Sequence, residues 1–223
     1  MSLWIKICGN TTLEDALLAA EAGADAVGFV FVPSPRRVTR SQVTAMTPQL
    51  PAAIEKIGVF VDAELEEIVS TIAECGLTGV QLHFDAEAEL PAKIRERVGS
   101  QLRILRVIHF DPMTAEERTK QIQEHARNPH LDGVLVDSRT SSAAGGTGVA
   151  FDWVEARKSL FSETGNLKLV AAGGLNPANV AEAIATLRPW GVDAVTGVEA
   201  APGRKDAAKV REFVTRARRA SGA

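Results

Sequence analysis

The sequence predicts an α/β fold, a single (β/α)₈ barrel of eight parallel strands that forms one domain over residues 1–223. Three observations predict it. Eight short apolar, β-branched runs recur at residues 3–8, 25–32, 56–61, 78–82, 102–108, 132–136, 167–172 and 192–196, each bounded by Gly, Asn or Pro. Longer stretches with helical spacing separate them. Runs such as Leu167-Lys168-Leu169-Val170-Ala171-Ala172 are almost continuously apolar, as strands of a parallel sheet covered by helices on its faces are. Eight units in 223 residues give about 28 residues each, close to a βαβ motif and within the lower range for a closed barrel.

The elements follow in order. The first run ends in Cys8-Gly9-Asn10-Thr11; Thr11 or Thr12 then precedes a helix with Glu14 and Asp15 in its opening turn and an apolar stripe at Leu13, Ala16, Leu17 and Ala20. The second run gives way to Pro33-Ser34-Pro35-Arg36-Arg37, and the third to Asp62 and a helix striped by Leu65, Ile68, Val69 and Ile72. The fourth ends at Gln81-Leu82-His83, the fifth at His109 and the sixth at Asp137-Ser138. The seventh ends at Gly173-Gly174-Leu175-Asn176, where Asn176-Pro177 suits the start of a helix, with Pro at its first position. The eighth is followed by Thr196-Gly197-Val198-Glu199, and residues 209–219 read as the basic, solvated end of a last helix, which its macrodipole favours. No Gly-, Ser- or Pro-rich linker divides the chain.

Composition narrows the function. Hydrophobic residues make up 45% and charged residues 24%, which calls for a real core and excludes disorder. Lys and Arg number 25 against 28 Asp and Glu, so no basic excess announces nucleic acid or a membrane surface, and an anionic ligand must be met locally. No stretch reaches the roughly 18 apolar residues of a membrane span. The N-terminus lacks the features of a secretory signal and reads as part of the fold. Two cysteines cannot build a disulfide scaffold, so a reducing, cytoplasmic setting is expected.

A barrel carries its active site at the C-terminal ends of its strands, so the residues just after each run are the informative ones. Cys8 there is either a small buried hydrophobe or, if its pKa falls toward neutrality, a base or nucleophile. Lys6, two residues earlier, projects to the same side and supplies a cation that favours thiolate. Asp137 is either a loop cap or a general acid over a partly apolar bowl. Arg36 offers a planar fork for a carboxylate, or is a surface residue. Gly145-Gly146-Thr147-Gly148, Gly173-Gly174 and Gly197 sit in the loops after runs six, seven and eight. Alone, each is an ordinary turn. Converging on one end of a barrel, their N–H groups can surround a phosphate. His83 and His109 read as lining or packing residues, because no His/Asp/Glu spacing forms a metal set.

These motifs together resemble the phosphoribosylanthranilate isomerase family over nearly the whole chain. The residues that carry the resemblance are Lys6-Ile7-Cys8-Gly9-Asn10-Thr11, Gly28-Phe29-Val30-Phe31 through Ser34-Pro35-Arg36, Gly58-Val59-Phe60, Gln81-Leu82-His83, Asp137-Ser138, residues 145–153, residues 172–180, and Gly197-Val198-Glu199 with Pro202-Gly203-Arg204-Lys205-Asp206. The resemblance implies a (β/α)₈ enzyme of tryptophan biosynthesis that performs an Amadori rearrangement of N-(5-phosphoribosyl)anthranilate. It implies Cys8 as general base, Asp137 as general acid, and Arg36 as the group that recognises the anthranilate carboxylate. It also implies that Gly146, Gly148, Gly173, Gly174 and Gly197 hold the phosphate. Neither cofactor nor metal is expected. The partner is a phosphorylated small molecule rather than nucleic acid or membrane, and the chain is a monomer or homodimer. Two departures stand out: Phe84 where the family usually has Gly, and Val195-Thr196 where it usually has Ser-Ser. A related sugar isomerase of histidine biosynthesis shares the barrel and the chemistry but uses a carboxylate at the position of Cys8, which argues against it. A catalytically silent phosphate-binding barrel is the rival from another class.

Overall fold

The computed structural model describes residues 2–83, 88–110, 114–137, 153–160 and 167–222. Eight parallel strands close a barrel in sequence order: β1 (Trp4–Ile7), β2 (Ala26–Val30), β3 (Glu55–Val61), β4 (Gly79–His83), β5 (Arg103–His109), β6 (Gly133–Asp137), β7 (Lys168–Ala171) and β8 (Gly191–Ala194). Closure is made by β1 on β8, with Trp4 opposite Gly191 and Lys6 opposite Asp193. Between the strands run α1 (Leu13–Glu21), α2 (Arg40–Met46), α3 (Leu65–Cys75), α4 (Leu90–Val98), α5 (Ala115–Ala126), α6 (Trp153–Ser159) and α7 (Val180–Leu187), and α8 (Ala207–Ala220) follows the barrel. Among the described residues no helix is long and apolar enough to cross a membrane.

All eight apolar runs become barrel strands, with ends shifted by one or two residues. Cys8 lies just past β1. The Thr12 side chain, rather than Thr11, caps α1 by accepting from the Asp15 N–H at 3.2 Å. The seventh helix begins at Val180, three residues after Pro177. The Asn176 and Asn179 side chains first tie residues 176–179 into a turn, and Val180 N–H then bonds the Asn176 carbonyl at 3.1 Å. One element has no counterpart among the eight units. Residues Glu199–Ala201 (β9) and Arg204–Lys205 (β10) form a small antiparallel hairpin turned at Pro202-Gly203, where Gly203 takes a φ of +80°. Three residues and two are too short to print an alternating pattern.

The strands alternate between two cores, as a period of two requires. Ile5, Ile7, Val27, Phe29, Val80, Leu82, Ile104, Ile108, Val134, Val136, Val192 and Ala194 face the helices. Trp4, Ala26, Ile57, Leu105, Val107, Leu135 and Val170 fill the barrel. At its N-terminal end Trp4 stacks on Trp190 with centroids 5.1 Å apart, the Arg103 guanidinium lies 5.2 Å from the Trp190 ring, and Glu55 holds Arg103 through a bond of 2.7 Å. That floor is packed shut. Chemistry is therefore left to the opposite end.

One half-buried side chain contributes to acid sensitivity. In the last turn of α5, burial, joined by the charge of Arg106, pushes His125 down from 6.5 to about 4. A neutral imidazole is thus favoured by folding, and the stability it brings is present above pH 6.5 and lost as pH falls toward 4. His125→Gln is expected to flatten that part of the stability–pH curve, removing about 2–3 kcal/mol of dependence in urea titrations at pH 7 and pH 4. Parallel curves for the two proteins would contradict it.

Candidate active site

The same alternation that sends Leu82, Val134 and Val192 outward turns Lys6, Cys8, Gly28, Gln81, His83, His109, Asp137 and Asp193 toward the barrel axis. They form the upper layers of its interior. Lys6 is completely buried, and no water reaches its ammonium. Its Nζ donates to Asp193 Oδ1 at 3.0 Å, the neighbour across the closing ladder, and to Gln81 Oε1 at 2.9 Å. Burial alone would lower the Lys6 pKa, but charge interactions with Asp193 and Cys8 and hydrogen bonds to both hold it above the ordinary lysine value. Lys6 is therefore a fixed cation beside the Cys8 sulfur.

Cys8 is 4% exposed. Room for its side chain comes from Gly28 on β2, where a Cβ would overlap the Cys8 sulfur. The Cys8 backbone is clamped from both sides: its N–H donates to the Ala194 carbonyl at 2.9 Å, and its carbonyl accepts from Lys205 Nζ at 2.6 Å. Asn10, also buried, ties the following loop to the Ile7 and Gly28 carbonyls at 2.8 and 3.2 Å. A side chain that must meet a substrate atom needs such fixed geometry.

Asp137 ends β6, three strands away around the barrel, and is 2% exposed. Its ladder partner on β5 is His109. The His109 ring lies 5.9 Å from that of His83 on β4. The two catalytic candidates thus stand on different walls of one mouth, with the histidine pair on β4 and β5 beside Asp137.

Arg36 is buried rather than superficial. Its Nε and Nη2 donate to Glu199 Oε1 and Oε2 at 2.8 and 2.7 Å in a two-pronged pair. Lys205 Nζ lies 3.3 Å from the same Oε1, and the Gly203 N–H donates to it at 3.3 Å. Burial pushes the Glu199 pKa up, but the bonds and charge of Arg36 and the charge of Lys205 outweigh it and hold the carboxylate low. Burial keeps Lys205 below the ordinary lysine value in spite of Glu199 and Cys8. The carboxylate that meets Arg36 in the structure belongs to the chain itself. Nη1 stays outside that pair.

Gly173 and Gly174 follow β7 with φ of +78° and +68°, values a side chain would strain, and the Asn176 and Asn179 amides both donate to the Gly174 carbonyl at 3.2 and 3.0 Å. Gly197 sits in a 3₁₀ turn after β8, so close to the Leu175 carbonyl that any Cβ would collide with it. These two loops adjoin. Gly146 and Gly148, with Gly145, Ser138 and Phe84, lie outside the described residues. Among the described residues no group of three His, Cys, Asp or Glu could hold a metal ion.

A family model for N-(5'-phosphoribosyl)anthranilate isomerase matches residues 5–216. The chain belongs to this family. It is an isomerase enzyme of tryptophan biosynthesis. The N-(5'-phosphoribosyl)anthranilate isomerase of Pelobacter propionicus is 43% identical over 211 residues, which are 94% of this chain and 93% of that protein. A crystal structure of a phosphoribosyl anthranilate isomerase in complex with reduced 1-(o-carboxyphenylamino)-1-deoxyribulose 5-phosphate is 34% identical, with a TM-score of 0.77 over 96% of this chain and 98% of the other. The phosphoribosyl anthranilate isomerase of Thermus thermophilus is 33% identical, with a TM-score of 0.80 over the same shares.

Several groups at this family site escape a reading of single positions. Asp193, Gln81 and Gly28 each lie inside an apolar run, and Glu199 and Lys205 sit in a motif without a role of their own. The signal was charge where a strand is otherwise apolar: Ile5-Lys6-Ile7 and Val192-Asp193-Ala194 bury complementary ions at one level of the barrel.

Proposed function

We propose that the chain, folded as one domain over residues 1–223, converts N-(5-phosphoribosyl)anthranilate into 1-(2-carboxyphenylamino)-1-deoxyribulose 5-phosphate, with Cys8 as base and Asp137 as acid. The observation that carries this reading is the pair of buried inward groups at the ends of β1 and β6, with the Lys6 ammonium beside the first. Asp137 gives its proton to the furanose ring oxygen as the bond from that oxygen to C1′ breaks and the nitrogen lone pair forms a Schiff base. Cys8 thiolate then removes the C2′ proton. The electrons of that C–H bond form the C1′–C2′ double bond and neutralise the nitrogen, giving an enolamine. Loss of the enol proton and protonation of C1′ produce the ketone, so C1′ is reduced and C2′ oxidised with no outside electron carrier. One group must begin protonated and the other deprotonated, as an acid–base pair requires.

Arg36 is assigned to the anthranilate carboxylate through the part of its guanidinium outside the Glu199 pair. The phosphate is assigned to the N–H groups of the loops holding Gly146, Gly148, Gly173, Gly174 and Gly197. The bound ligand of the related crystal structure, which carries both a carboxyphenyl and a phosphate group, supports two separate anion sites. Both cysteines are free thiols, which suits a cytoplasmic enzyme, and the dimeric phosphoribosylanthranilate isomerase of Thermotoga maritima, also solved as generated monomers, supports a chain that acts as a monomer or homodimer.

Arg36→Met is expected to lower kcat/KM for phosphoribosylanthranilate about tenfold to a hundredfold, the worth of a charged hydrogen bond, while inhibition by a plain pentose phosphate changes little. Steady-state kinetics on the variant check this; equal losses for both ligands would merge the two anion sites. Offered the aminoaldose of histidine biosynthesis instead, the wild-type protein is expected to turn it over far more slowly. A preference for that substrate would favour the rival isomerase.

A further inference from the structure

Lys6 has three N–H donors and no acceptor, so the Gln81 atom 2.9 Å from its Nζ is the carbonyl oxygen and not the amide nitrogen. The Gln81 NH₂ group is thereby aimed at His83, and Gln81 Nε2 lies 3.1 Å from His83 Nε2. Two donors cannot share a hydrogen bond. His83 Nε2 must present its lone pair, and the proton of the ring must sit on Nδ1. We infer that Gln81 is a positioning residue that uses the fixed ammonium of Lys6 to hold His83 as the neutral Nδ1–H tautomer at the barrel mouth.

This goes beyond the assignment of base and acid, and its benefit to turnover rests on that assignment. His83 stacks obliquely toward His109, whose ladder partner is Asp137. An imidazolium in this row would add a positive charge beside the group assigned to donate a proton. Among the described residues, the charges lining the cavity beside His83 do not impose neutrality. Asp62, Glu64 and Lys93 line the adjoining cavity of about 360 Å³, and its two carboxylates favour a charged ring. The Gln81 amide opposes them at hydrogen-bond distance, whereas Asp62 and Glu64 are exposed and screened. Reversing the amide to suit a protonated His83 would turn its NH₂ toward the Lys6 ammonium. The orientation of Gln81 therefore ties the charge state of His83 to the cation beside Cys8.

The test is long-range ¹H–¹⁵N spectroscopy of the full-length protein labelled in its four histidines, with the His83 signals identified by their loss in His83→Asn. Near neutral pH the wild-type ring is expected to be neutral and protonated at Nδ1. In Gln81→Glu the new carboxylate accepts from both Lys6 and His83, so the ring is expected to become Nε2–H or charged. With it, kcat for phosphoribosylanthranilate should fall about tenfold or more with KM within about threefold. In Gln81→Leu, a second variant that adds no charge, the Nδ1–H preference should give way to a mixture. A wild-type ring protonated at Nε2, or a ring still neutral and Nδ1–H in either variant, would overturn the proposal. The spectra need no turnover: failure to isomerise phosphoribosylanthranilate would count against the proposed reaction and leave the tautomer assignment standing.

Discussion

Cys8→Ser is expected to lower kcat by about three orders of magnitude or more, because an alcohol is a far poorer base than a thiolate and positioned base catalysis alone contributes 10²–10⁴-fold. The substitution changes one atom. The space opened by Gly28, the backbone clamps from Ala194 and Lys205, and the Lys6 ammonium all remain. Binding of a pentose phosphate and the melting temperature should therefore stay close to wild type. Turnover numbers and ligand titrations on the same preparation separate the two effects. Wild-type turnover in Cys8→Ser would remove Cys8 from the mechanism, and lost binding would recast it as a packing residue.

Asp137→Asn should produce the second large loss, a fall in kcat of about 10²–10⁴-fold with little change in KM, since the amide keeps the shape of the carboxyl but has no acidic proton to give to the ring oxygen. Because ring opening precedes removal of the C2′ proton, the double variant with Cys8→Ser should be little slower than the worse single variant, as expected when two groups serve one sequence of steps. An effect on KM alone would make Asp137 a binding residue.

The barrel was legible because every strand is buried on both faces and prints a nearly continuous apolar run, and the positions of Cys8 and Asp137 at strand ends followed from it. The partners of the site residues were not legible. Arg36 meets Glu199 across 163 residues and Lys6 meets Asp193 across 187, and pairings over such distances follow only from closing the barrel. The hairpin of β9 and β10, which brings Glu199 and Lys205 to Arg36 and Cys8, is too short for a periodic signal. Gly28 reads as a strand glycine until the Cys8 sulfur is placed against it. Gln81 discloses its orientation only through Lys6, whose lack of an acceptor decides it. The loop of Gly146 and Gly148, assigned to phosphate by its glycines, and the departure at Phe84 lie outside the described residues.

The most direct measurement follows the anthranilate fluorescence of phosphoribosylanthranilate on mixing with the purified wild-type chain, with the product identified by mass and by its ketone. The account predicts many turnovers per protein molecule, without added metal or redox cofactor, to 1-(2-carboxyphenylamino)-1-deoxyribulose 5-phosphate. Decay no faster than in buffer alone, or decay to anthranilate without the ketone, would contradict it.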